Sequence, residues 1–119
     1  MIKYLFIFLI FSSVFLFGQN FTCKHYAHIN HNTGIKKIYT ESESASMPPF
    51  SFSLNSNTIY VDLPSGNKEI FILKDVVDGV RRFFSQNNHY LRQPTEYPDV
   101  WYWDMRLQGQ LQTVMLICK

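Results

Sequence analysis

Two cysteines, Cys23 and Cys118, are the only ones in a chain of 119 residues, and they stand near its two ends. In an oxidising compartment an even pair in a small chain reads as one disulfide. Such a bond needs the two Cα atoms within about 7 Å. The first and last elements of the fold must then lie side by side or on facing sheets. Closing a loop of roughly 100 residues stabilises by about 4.7 kcal/mol in the chain-entropy model, and measured bonds often deliver less. Other readings of the pair are weaker. Thiolates this far apart lack the short spacing of zinc ligands, and no Cys-x-x-Cys or adjacent base marks a reactive thiol. Two buried free thiols would suit a reducing compartment.

The start of the chain bears on the compartment. Met1–Phe17 has one positive charge at Lys3, then a run of Leu, Ile and Phe that ends at the small residue Gly18. This is the layout of a secretory signal peptide, with cleavage expected after Gly18 or Gln19. A membrane anchor usually needs ~20 apolar residues, and Ser12-Ser13 interrupts this run. A lipoprotein signal places a small residue directly before its cysteine, whereas Thr22 precedes Cys23. The expected organisation is a signal peptide over 1–18 and a single domain over 19–119, periplasmic or extracellular, with no stable membrane span after cleavage. Tyr4, Phe6, Phe8, Phe11, Phe15 and Phe17 leave with the signal, which lowers an otherwise high aromatic content. Lys and Arg number 11 against 9 Asp and Glu, a balance that argues against a nucleic-acid binder.

Alternation of apolar and polar residues predicts an all-β fold of about eight strands, a small antiparallel barrel or sandwich. Phe21–Asn30 and Ile35–Glu41 flank the turn His31-Asn32-Thr33-Gly34. Ser42–Pro49 reads as a polar loop closed by two prolines. Three strands follow as a meander: Phe50 to Leu54, Thr58 to Leu63 and Glu69–Leu73. Segment 74–88 fits either a helix or a hairpin turning at Asp78-Gly79, and the hairpin is favoured because a helix interior resists Gly. Val100–Leu107 and Gln110–Cys118 complete the set. A last strand bonded beside the first favours closure into a barrel. Phe50, Phe52, Phe83, Phe84, Trp101 and Trp103 are the expected core.

Few residues suggest chemistry. His25, His28 and His31 recur every three positions, but a strand turns His28 away from the other two. His25 and His31 would lie roughly 20 Å apart, so no metal site is expected. The carboxylates Glu41/Glu43, Asp75/Asp78 and Asp99/Asp104 have no second feature that would make a glycosidase pair, and no serine sits in a nucleophile motif. No catalytic residue and no cofactor are assigned. Gln86–Asp99 is long for a structureless connection and carries His89, Tyr90, Leu91 and Tyr97, so with Tyr102 it forms the candidate partner-binding surface. A missed strand near Asn88–Arg92 is the competing account. Trp101 and Trp103 are read as core, with the lining of a small apolar ligand as the alternative.

The Phe17-Gly18-Gln19-Asn20 end of the signal, the meander from Phe52-Ser53-Leu54 to Ile59-Tyr60-Val61, and the late Tyr102-x-Asp104 strand resemble small exported β proteins of unknown function from Bacteroidota. That resemblance implies a Gram-negative periplasm or the cell exterior. In topology the chain is also similar to the exported inhibitors of c-type lysozyme, eight-stranded barrels tied by a disulfide, with Phe21-Thr22-Cys23 and Cys118 at matching places. Their Ser-Ala-Ser-Gly loop is missing: Ser44-Ala45-Ser46 comes too early and runs into Met47. Small barrel inhibitors of secreted metalloproteases share the size and the disulfide without a matching motif. The expectation is a monomeric exported domain that binds a protein through the 86–99 loop. A carrier of a small apolar ligand, or an enzyme with a site not visible in sequence, are the alternatives.

Overall fold

A computed structural model describes residues 19–119, so the signal-peptide reading of 1–18 lies outside the described residues. Over the described residues the fold is an eight-stranded closed antiparallel barrel with one extra strand and one short helix. In chain order the elements are β1 (Gln19–Asn30), β2 (Lys36–Ile38), α1 (Glu41–Ser46), β3 (Phe50–Asn55), β4 (Thr58–Asp62), β5 (Lys68–Val77), β6 (Val80–Ser85), β7 (Tyr90–Pro94), β8 (Val100–Leu107) and β9 (Gln110–Cys118). Each strand from β3 onward pairs with the next, and β1 pairs with both β3 and β9 to close the barrel. One edge of β1 is shared: Gln19 to Cys23 meet β3, while Ala27 to Ile29 meet β2.

The cysteines fix the seam. Cys23 stands opposite Cys118 in the β1–β9 ladder, their Cα atoms are 4.0 Å apart, and they form the disulfide. Both are fully buried. The interior is aromatic. Trp101 packs on Phe52 and Phe83 at 5.7 Å between centroids, and Trp103 on Phe50 at 5.3 Å and Phe71 at 5.5 Å. Ile59, Val61, Leu91 and Leu116 fill the space between them without exposure.

The Asp78-Gly79 turn is a hairpin, with Asp78 at φ 51° and Gly79 at φ 74°, both in the left-handed region that a two-residue hairpin of this kind requires. Three expectations need correction. Ser42–Pro49 is not all loop, because Thr40 accepts from the Glu43 backbone while the Glu43 carboxylate accepts from the Thr40 backbone, a capping box that starts α1. Gln86–Asp99 is not one loop, because Tyr90–Pro94 forms β7 between β6 and β8. Phe84 is not core: Phe83 and Ser85 point inward, which sends Phe84 outward.

Two bulges re-aim side chains. The register of β1 shifts between His25 and Ala27, so Tyr26 is the extra residue. His25, ahead of the bulge, shares the inward face with Cys23 by alternation, and the bulge brings His28 opposite the buried Val114. A second shift between Leu73 and Asp75 puts Asp75 beside Arg82 on the outer face.

Candidate functional site

The outer face of β5–β8 carries a composition that a solvated barrel wall does not require. Ile72 faces Phe84 across β5–β6, and Phe84 faces Tyr90 across β6–β7. The Phe84 and Tyr90 rings pack with their centroids 4.9 Å apart and their planes tilted by 47°, and the Lys74 ammonium lies 5.7 Å from the Tyr90 ring centre. Tyr60, opposite Ile70 on the neighbouring pair, extends the apolar stripe to β4. Ile70 and Ile72 are half exposed at 49% and 59%. The stripe borders a groove of about 740 Å³ whose walls include Ile70, Ile72, Lys74, Phe84 and Tyr90.

On the other side of Tyr90 the face is polar and braced. Arg82 and Arg92 stand directly opposite one another across β6–β7, an arrangement of like charges that needs neutralising. Each guanidinium makes a two-point contact with its own carboxylate. Arg82 donates to both Asp75 oxygens at 2.7 and 2.6 Å, and Arg92 donates to both Asp104 oxygens at 2.5 and 3.0 Å. Hydrogen bonding from Arg82 holds the Asp75 carboxyl below its ordinary range and raises the Arg82 guanidinium. Arg92 also lies over the Tyr102 ring at 5.0 Å. Asp104 accepts a third bond from Thr113 Oγ1 at 2.6 Å, and His31 Nε2 sits 2.7 Å from that hydroxyl. A second groove of about 430 Å³ runs along His31, Arg92, Asp104, Arg106 and Leu111, with Tyr90 on its border too. Tyr90 is thus the ridge between an apolar groove and a polar one.

The residues expected to bind a partner separate. Tyr90 and Tyr102 come together on this face. Leu91 points the other way and is fully buried, so it is a core residue. Tyr97 is 61% exposed but sits in the turn after β7, at the opposite barrel end from His89, which precedes β7. His89 lies at the barrel rim against Trp103, with Nδ1 2.8 Å from a carboxylate oxygen of Glu69 but not aligned for a hydrogen bond. That Glu69 oxygen also accepts from Ser85 Oγ at 2.7 Å and Asn87 Nδ2 at 3.1 Å, which allows a carboxylate to be buried there. Trp101 and Trp103 are enclosed by the aromatic core, 1% and 3% exposed.

Ile70, Ile72, Lys74 and Phe84 are site residues that the sequence does not single out. A signal for two of them was present. Ile70-Phe71-Ile72-Leu73 is apolar at every position, so a strand with one face in the core must show apolar side chains on the other. Among the described residues there is no group of three His, Cys, Asp or Glu placed to hold a metal ion, and no helix long and apolar enough to cross a membrane. A scan against protein families and searches of curated proteins and of solved structures return no match to this chain.

Proposed function

We propose that this chain is an exported protein-binding domain whose contact surface is the outer face of β5–β8, centred on Tyr90. The observation that carries the reading is the packed Phe84–Tyr90 ring pair set between two grooves, on a wall that the core does not need for its own burial. Tyrosine and arginine are the residues that anchor protein interfaces, and apolar patches with a polar border mark contact sites. The two bidentate ion pairs hold Arg82 and Arg92 in place before any partner arrives, which reduces the ordering cost of association. The contact surface is therefore a strand face, where the sequence had pointed to a loop. Export is supported by the disulfide, which forms and persists in oxidising compartments. A carrier role draws no support from Trp101 and Trp103, because the rings around them occupy the interior.

The test is co-purification from periplasm and culture supernatant with a tagged chain, comparing wild type, Tyr90→Ala and Tyr97→Ala. The expected result is one partner retained by wild type and Tyr97→Ala and reduced at least about tenfold with Tyr90→Ala. A partner held equally by all three would sink the proposal.

A further inference from the structure

The apolar groove has an unpaired strand edge along one side. Backbone groups of alternate β5 residues point to opposite neighbours. Leu73 donates to Asn57 and Leu63 to Asn67, which places the backbone groups of residues 67, 69, 71 and 73 on the β4 side. Those of Lys68, Ile70 and Ile72 consequently face β6. Ile72 has its partner there in Phe84, and the ladder ends with Phe71 opposite Ser85. Beyond Ser85 the chain turns away toward β7, with Asn88 donating to the Ser85 carbonyl and Ser85 to that of His89. Ile70 and Lys68 are left without a backbone or side-chain partner among the described residues on that side, and both line the groove.

We infer that this notch between β5 and β6 accepts an extended peptide segment of a protein partner, which pairs with Lys68–Ile70 as an added strand. The inference rests on the reading of the outer face as a protein-contact surface and specifies how contact is made. Two N–H and two C=O groups in strand register call for a backbone, which a lipid tail or a saccharide does not present. An added strand sets alternate side chains against Ile70, Ile72 and the Tyr90–Phe84 pair, so the segment carries an apolar residue there. The residues two positions to either side of it, on the same strand face, are acidic. Lys74 has no carboxylate partner among the described residues, and Lys68 has only a 3.8 Å contact with exposed Asp62. The nearby carboxylates are already engaged, Asp75 by Arg82 and Glu69 by Ser85 and Asn87. Two lysines also fall short of the basic cluster that an anionic membrane surface selects.

A library of random peptides displayed on phage, selected on the purified protein, supplies the probe. Selected sequences should place Asp or Glu two positions from an apolar residue, on the same strand face. The synthesised peptide should bind about tenfold more weakly to Lys74→Glu and to Tyr90→Ala, and equally to Tyr97→Ala. In amide hydrogen exchange the Ile70 and Lys68 N–H groups should be fast in the free protein and protected in the complex. Peptides that depend on Tyr90 yet leave both amides fast, or that carry no acidic preference, overturn the strand-addition inference while the contact face stands. Peptides indifferent to Tyr90→Ala overturn both. A selection that yields no binder overturns the strand-addition inference alone, since co-purification decides the face separately.

Discussion

His25 lies at the β1 bulge between Phe50, 5.0 Å away, and the edge of Tyr39 at 6.2 Å, and its Nδ1 is buried with no hydrogen-bond partner. Burial pushes its pKa below the ordinary histidine value, and the nearby His28 adds to the shift. The unfolded chain therefore takes up a proton at this position at a higher pH than the folded one. Stability is fully present above about pH 6.5 and is lost as pH falls through that value toward the lower folded pKa. Replacing the imidazole by a ring that does not titrate removes the dependence. In His25→Phe the urea midpoint should change less between pH 7.5 and pH 5 than in wild type. An unchanged pH slope would show that another group controls acid sensitivity. Asp75 works in the opposite sense: its lowered pKa makes its ion pair with Arg82 a contribution present at neutral pH and lost on strong acidification. Its exposure keeps that contribution small.

The element that decides how the site is built is β7. Its inward residues are Leu91 and Gln93, one apolar and one polar, so the alternation that reveals a strand is half erased. Gln93 is 3% exposed all the same, because its amide donates to the Pro98 carbonyl at 2.6 Å and accepts from Arg81. Leu91 then provides the apolar burial of the strand. Leu91→Ala should destabilise by about 2–5 kcal/mol in urea unfolding, and Tyr97→Ala by no more than about 0.5 kcal/mol. Equal effects would contradict the division of the 86–99 segment into a core strand and exposed turns. The same strand explains what the sequence made legible. The meander of β3, β4 and β5, the Asp78-Gly79 hairpin and the final pair of strands follow from alternation and turn residues. Bulges at Tyr26 and Lys74 have no comparable signature, and each reverses the face of the residues beyond it. Phe83 and Phe84 are adjacent and equally apolar, so only register separates core from surface. The contact face suffers most from this, since it is assembled from outward positions of four strands whose register sequence alone does not fix. The capping box of α1, Thr40 with Glu43, has the Thr-x-x-Glu spacing but lacks the apolar run that would mark a helix after it.

For the whole molecule the question is whether the disulfide closes the barrel or only stabilises it. Thr22 and Lys119 exchange two backbone hydrogen bonds, 3.0 and 3.2 Å, beside the Cys23–Cys118 pair. From there the β1–β9 register continues through the bulge to Asn30 opposite Gln112. Closure therefore has its own ladder, and the bond acts chiefly on the unfolded chain, where it links residues separated by 95 positions. A double Cys23→Ala, Cys118→Ala variant should lose about 2–4 kcal/mol, a large part of the ~5–15 kcal/mol typical of a domain. Its urea slope should rise, because an unlinked chain exposes more surface on unfolding. Cross-strand nuclear Overhauser contacts between β1 and β9 should persist in the folded variant. Peptide binding at Lys68–Ile70 should also be unchanged, since β5 and β6 lie away from the seam. Loss of the β1–β9 contacts in a variant that still folds would assign closure to the covalent bond, and the barrel would then depend on an oxidising compartment for its shape as well as its stability.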